Sequence, residues 1–260
     1  MDTFKTIATE LNEQVATLWL ARPEVHNAMD DIMIRELSVF FKKIEDNNEI
    51  RLIVIRGKGR SFCSGADLNW MKKAFNLTPE ANLKESKELT DLFKLIFDSS
   101  KIVISAVHGN VFGGGNGIVA ACDLAYCIDN SKFSLSETRI GMAAASITPY
   151  LLHKVQASNL KELIFTAGSF NGKEAVNYGL ANQSFPSSEE MELYLNKIIT
   201  EMLMNGKQAL IESKRLINRL KDQLMSEEML KIPGLLARIR VSPEAQEGFS
   251  AFLEKRNPVW

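Results

Sequence analysis

Histidine and cysteine are scarce in this chain, three of each in 260 residues. His26, His108 and His153 lie far apart, and Cys63, Cys122 and Cys127 contain no Cys-x-x-Cys pair. No metal site is therefore expected, and an odd number of thiols suits a reducing compartment better than a disulfide framework. An excess of either charge is also missing. Lys and Arg total 31 against 32 Asp and Glu, so the basic footprint of a nucleic-acid binder is absent. No apolar run approaches the roughly 20 residues of a membrane span; Lys101, His108, Asn110, Asn116 and Asp123 interrupt the most apolar region. The first residues, Met1-Asp2-Thr3-Phe4-Lys5, lack the basic-then-apolar order of a signal peptide. These absences set the expectation of a cytoplasmic protein without metal, membrane or nucleic-acid partners. The chain is long enough for a large core, as one domain with an appendage or as two small domains.

What is present is organised around residues 103–123. The β-branched run Ile102 to Val107 reads as a buried strand. Glycines 109, 113, 114, 115 and 117 follow, then a small apolar segment suited to a short helix. Glycines that open a helix leave backbone N–H groups free at the positive end of its dipole. Such amides can hold phosphate, or an oxygen that gains charge during a reaction. Shortly afterwards Phe133-Ser134-Leu135-Ser136-Glu137-Thr138-Arg139-Ile140-Gly141 places a carboxylate among apolar residues.

Before that stretch, residues 7–20 read as two short strands turning near Asn12-Glu13. A helix runs from Ile32 to about Asp46, capped by Asp30 or Asp31, and Arg51 to Gly57 is a strand. Residues 70–98 are helical in two pieces, divided at Pro79. After it, Leu124 to Ile128 is a strand, and helical patterns cover 161–166, 172–178, 187–204, 207–224 and 226–239. The last of these carries an expected break at Pro233-Gly234, and a final helix starts at Ser242-Pro243-Glu244. Texture changes from mixed α/β to all helix near residue 195, which divides the chain into a 1–195 core and a 196–260 helical region. Asp67 reads as a helix cap, Asp123 as a turn residue, His108 as a satisfied core histidine and Cys63 as a buried filler.

Four motifs in order, Ser61-Phe62-Cys63-Ser64-Gly65-Ala66-Asp67-Leu68, His108 to Gly115, Cys122-Asp123 and Phe133 to Gly141, resemble those of the enoyl-CoA hydratase/isomerase (crotonase) family. The closing Gly248 to Arg256 resembles that family's C-terminal signature. The resemblance implies an α/β fold, a spiral of ββα units followed by a helical trimerisation region, in a homotrimer or a dimer of trimers. It implies an acyl-CoA thioester as substrate, with coenzyme A arriving as part of that substrate and no separate cofactor. By the same resemblance the two oxyanion-hole amides fall on Ala66 and Gly114, and the acid–base residue on Glu137. Ser61, Phe62, Ser64, Gly65, Ala66, Asp67 and Leu68, with Gly113 and Gly114, would line the CoA path, and Phe252 and Lys255 would reach the CoA of a neighbouring subunit.

One departure bears on the chemistry. Family hydratases usually carry a second glutamate at the position of Gly117, and Ala144-Ala145 replace the usual Pro-Gly pair. Gly117, Leu135-Ser136-Glu137 and Ile147-Thr148-Pro149 together resemble the methylglutaconyl-CoA hydratase branch, associated with leucine and isoprenoid catabolism. Two carboxylates divide the proton work of hydration, whereas isomerisation needs one base. A count of acids therefore favours an isomerase and the branch resemblance favours a hydratase, which is ranked first. A non-catalytic acyl-CoA-binding paralogue is the third alternative. Asn116 or the space beside Gly117 is the candidate place for an ordered water.

Overall fold

The computed structural model describes residues 4–222, 231–256 and 258–259. Strands β1 (Ile7–Asn12) and β2 (Val15–Leu20) form a hairpin, with Glu13 in the left-handed region at its turn. β3 (Leu52–Gly57), β4 (Ile102–Val107), β6 (Leu124–Ile128) and β9 (Gln183–Phe185) extend it in parallel, in the order β1-β2-β3-β4-β6-β9. A small second sheet joins β5 (Asn110–Phe112), β7 (Lys132–Ser134) and β8 (Ser169–Asn171). These three-residue strands are too short to show a period in sequence.

Strand alternation sorts the core into two layers. Ile53, Ile55, Val103, Val107 and Cys127 point toward one face, where α1 (Asp31–Glu45), α3 (Pro79–Asp98) and α4 (Gly114–Ala121) bury Phe41, Phe93 and Ile118. Leu52, Val54, Ile102, Ile104, Ala106 and Tyr126 point to the other, beneath Met191 and Leu195 of α8 (Ser188–Met204). Parallel strands covered on both faces read as continuous apolar runs, which is why β3 and β4 were legible. The 195/196 division falls inside α8, where Leu195 is fully buried against the sheet.

Caps set several boundaries. The Asp30 side chain accepts from Met33 N–H at 2.8 Å and starts α1. Asp67 accepts from Asn69 N–H at 2.8 Å and starts α2 (Leu68–Ala74). Toward the end of the chain, α9 (Lys207–Asp222), α10 (Ile232–Arg240) and α11 (Pro243–Leu253) follow α8. Pro233 sits in the first turn of α10, where its missing N–H costs no hydrogen bond. The remainder of the 226–239 expectation, and the end of 207–224, lie outside the described residues. α10 packs on α3 through Asn82, whose Nδ2 donates to Ala237 O at 2.6 Å, and Arg240 stacks on Trp70 of α2.

Candidate active site

The site is built where β4 and β5 deliver the chain to α4. Segment 61–63 runs alongside 108–112: Phe62 N–H donates to His108 O at 2.9 Å, Cys63 N–H to Asn110 O at 3.1 Å, and Phe112 N–H to Cys63 O at 3.0 Å. Gly115 fits against Cys63, with 2.6 Å between Cys63 O and the point a Cβ would occupy. Only glycine allows that approach. Cys63 is wholly buried, and burial pushes its thiol up to about 12, so it fills space as expected.

The next residues cross to a different neighbour. Met29 N–H donates to Gly65 O at 2.8 Å, and Asp67 N–H donates to Met29 O at 2.8 Å. Pairing through Gly65 and Asp67 turns the intervening Ala66 N–H to the opposite side of the chain. Gly65 Cα lies 3.9 Å from the ideal Cβ position of Gly113, and Gly113 has φ +47. Segments 65–66 and 113–114 are thus neighbours. Among the described residues neither Ala66 N–H nor Gly114 N–H donates a hydrogen bond. Ala66 is exposed and Gly114 half-buried, and Gly114 opens α4, where orphan donors meet the positive dipole end.

Glu137 begins a 3₁₀ turn, Glu137–Ile140, just beyond β7. Its Oε1 stands 3.4 Å from the ideal Cβ position of Gly113, so the carboxyl group lies against the start of α4. Its Oε2 is sealed from solvent and has no hydrogen-bond partner. Burial pushes the carboxyl up to about 7, opposed only by a backbone hydrogen bond. An acid tuned near neutrality suits proton transfer.

Two connections fix the segment on either side of Glu137. Asn116, fully buried, donates Nδ2–H to Ser134 O at 2.8 Å and to Val111 O at 3.2 Å, tying the end of β7 to α4. Its amide hydrogens are engaged with backbone, and its Oδ1 is buried without a partner. On the far side, Gly248 of α11 presses on the backbone of Ile140 so closely that no Cβ would fit, and Phe249 stacks on Phe75 at 5.3 Å.

The expected space beside Gly117 is filled. Ile147 Cγ2 occupies the place of a Cβ there, and Phe93 Cε1 is 2.8 Å from the same point. The position of the family's second acid is thus walled by apolar side chains that a Cβ there would have to displace. In sequence Ile147 stands only as part of a motif that resembles the same branch as Gly117, and nothing local places it or Phe93 against Gly117, because both converge on it from distant elements.

The segment from Ser61 to Leu68 divides. Ser61 and Phe62 are wholly buried; Ser61 Oγ lies 3.1 Å from His26 Nδ1, and Phe62 belongs to the core. Ser64 is half-buried, Gly65 buried, and Ala66 and Leu68 face out. Asp67 caps α2 and pairs with Arg22 at 3.1 Å. Phe252 and Lys255 lie exposed at the end of α11. Among the described residues no cluster of three or more His, Cys, Asp or Glu could hold a metal ion.

These features have counterparts. A family model described as Enoyl-CoA hydratase/isomerase matches residues 10–260. The chain belongs to the enoyl-CoA hydratase/isomerase family. Carnitinyl-CoA dehydratase of Proteus mirabilis is 31% identical over 95% of this chain and 94% of its own. The mitochondrial Delta(3,5)-Delta(2,4)-dienoyl-CoA isomerase of Dictyostelium discoideum is 28% identical over 99% and 92%. The crystal structure of an enoyl-CoA hydratase from Shewanella pealeana superposes with a TM-score of 0.81 at 31% identity, covering 99% of this chain and 96% of that one. The α/β architecture expected from sequence is that of the enoyl-CoA hydratase/isomerase family, whose named relatives include both lyases and isomerases.

Proposed function

We propose that this chain adds water to, and removes it from, the C2–C3 double bond of a 2-enoyl-CoA thioester, with Glu137 as its single acid–base group. The observation that carries the reading is the sealed, partnerless Oε2 of Glu137, on a carboxyl raised to about 7 and lodged against the start of α4. In the proposed cycle Ala66 N–H and Gly114 N–H hold the thioester oxygen. Ionised Glu137 takes a proton from water as the hydroxyl oxygen bonds to Cβ. The C2–C3 π electrons move to the thioester as an enolate, whose charge the two amides stabilise. Glu137 then returns that proton to Cα, the enolate collapses, and the enzyme is regenerated. One carboxylate suffices because the proton it removes is the proton it delivers. No cofactor enters beyond the CoA carried by the substrate.

Resemblance to the methylglutaconyl-CoA hydratase branch supports a branched acyl group of the 3-methylglutaconyl type. In this reading the chain works as a homotrimer or a dimer of trimers, and the exposed Phe252 and Lys255 are available to a neighbouring subunit's CoA. A second reading, double-bond isomerisation, has its own support: the apolar wall of Phe93 and Ile147 beside Gly117 suits proton transfer between carbons without water.

The test is incubation of the purified chain with 3-methylglutaconyl-CoA, crotonyl-CoA and a 3-enoyl-CoA in ¹⁸O-labelled water. Gain of one labelled water with loss of conjugation supports the hydratase. Gain of conjugation at constant mass replaces it with the isomerase, and binding without change of any thioester removes both.

A further inference from the structure

Residues 27–29 contain no acid, base or nucleophile, yet they are held from several sides. Asn27, wholly buried with φ +55, donates Nδ2–H to Lys58 O at 2.8 Å and Ser61 O at 2.7 Å, and its Oδ1 accepts from Arg22 N–H at 2.8 Å. The Arg22 guanidinium donates to Ala28 O at 2.7 Å and pairs with Asp30 and Asp67, each at 3.1 Å. Between these clamps sits Met29, 2% exposed. Its backbone makes both hydrogen bonds that orient Ala66, to Gly65 O and from Asp67 N–H. Its side chain crosses to the other loop, where Cε fills the place of a Cβ on Gly114, with Phe93 Cζ 3.8 Å from that point.

We infer that Met29 is a positioning residue that fixes the spacing of the two carbonyl-binding amides, its main chain setting Ala66 and its methyl bracing Gly114. The inference rests on the acyl-CoA reading above and adds to it the part that makes the two loops one rigid receptor. Paired amides stabilise a developing enolate only if their separation is set before charge appears. Two loops 48 residues apart in sequence, counting from 66 to 114, have no such guarantee by themselves. A single side chain in contact with one and bonded through its backbone to the other supplies it. Gly114 must lack a side chain for the methyl to reach it, so the glycine and the methionine form a pair.

Met29→Ala keeps the backbone bonds to Gly65 and Asp67 and removes only the brace. Met29→Leu restores apolar volume, and Met29→Val shortens the side chain less should the alanine variant fold poorly. Near-ultraviolet circular dichroism gives the folded fraction, to which rates are normalised. For crotonyl-CoA, kcat of Met29→Ala should fall about ten- to a hundredfold, the scale expected of an ångström-level misplacement, with KM little changed. Met29→Leu should recover kcat to within a few-fold, as expected of a volume-conserving exchange. In a Glu137→Gln background, where bound thioester persists, the infrared stretch of ¹³C-carbonyl-labelled crotonyl-CoA reports the amides directly. Binding should lower its frequency, and Met29→Ala should return it toward the free value. Unchanged kcat per folded molecule with an unchanged carbonyl shift would overturn the inference, as would equal losses in the alanine and leucine variants without any spectral change. A parent chain that neither turns over enoyl-CoA thioesters nor lowers the carbonyl frequency would instead sink the acyl-CoA reading, and this inference with it.

Discussion

Ile147 and Gly117 meet so closely that no side chain fits between them. The Ile147 Cγ2 methyl occupies the place of a Cβ on Gly117, and Phe93 Cε1 and Cζ are each 2.8 Å from the same point. Gly117 lies inside α4, where alanine would ordinarily gain about 1 kcal/mol of helix propensity. Overpacking a filled core costs about 1–3 kcal/mol, so the steric term wins. Gly117→Ala should lower the urea midpoint, and the double variant with Ile147→Ala should recover part of the loss. Gly117→Glu should destabilise further and give no gain in hydration; a stable, faster Gly117→Glu enzyme would show that the wall yields.

The pH dependence of turnover follows from the Glu137 carboxyl. It must be ionised to take a proton, and burial raises it to about 7. The value of kcat/KM should therefore be low at pH 5, rise through an apparent pKa near 7 and level off above it. Glu137→Gln should abolish turnover while CoA thioesters still bind, as judged by calorimetry. A flat profile from pH 5 to 8 would remove this carboxyl from the mechanism.

Stability carries the opposite sign. The native carboxyl has its pKa near 7 against an ordinary 4.5, so between these values the native state binds more protons than the unfolded state. Stability contributed by this group falls as pH rises from about 4.5 to about 7, by a total on the order of 3 kcal/mol, and stays constant above. Glutamine does not titrate. Urea unfolding should therefore show Glu137→Gln gaining stability relative to the parent between pH 5 and pH 8. A difference independent of pH would mean the native carboxyl titrates normally.

These tests concern a site that sequence exposes unevenly. The strand before Gly109, the Asp67 cap and the run around Glu137 are local patterns, fixed by residues that stand together, and each is where the sequence reading puts it. What surrounds them is not local. The strands Asn110–Phe112, Lys132–Ser134 and Ser169–Asn171 have three residues each, too few to declare a period of two. Asn116 joins α4 to Ser134 across 18 positions, and a buried asparagine in an apolar segment looks the same whether it clamps backbone or orients water. The absence of an acid at 117 is visible in the sequence, but what fills its place depends on Phe93 and Ile147, which only tertiary packing brings there. Met29 reads as one more apolar loop residue until Gly65 and Gly114 are found on either side of it.

A last prediction comes from another long-range pair, between Asp123 and Lys214. Lys214 Nζ lies 2.7 Å from Asp123 Oδ2 and 2.9 Å from Lys101 O, and Asp123 also accepts from Val103 N–H at 2.7 Å. In sequence Asp123 reads as a turn residue, but this ion pair anchors α9 to the start of β4. Burial raises the Asp123 carboxyl, and Lys214 acts against that shift. Removing Lys214 takes away the stronger of two cations acting on this carboxylate and leaves Lys154, a loss of up to about 3 kcal/mol, the lower end for breaking a buried pair. Lys214→Met should therefore unfold at markedly lower urea at pH 7. Without Lys214 the native carboxyl titrates at still higher pH, so the native state holds its proton where the unfolded state has released it. The deficit should thus shrink as pH falls and Asp123 becomes protonated. Asp123→Asn combined with Lys214→Met keeps an acceptor for Val103 N–H and removes the carboxylate that has lost Lys214, so it should recover part of the pH 7 loss, the remainder reflecting the buried Lys154, which loses the favourable charge of Asp123. If Lys214→Met matches the parent at pH 7, the pair contributes nothing and α9 is held by its apolar face alone.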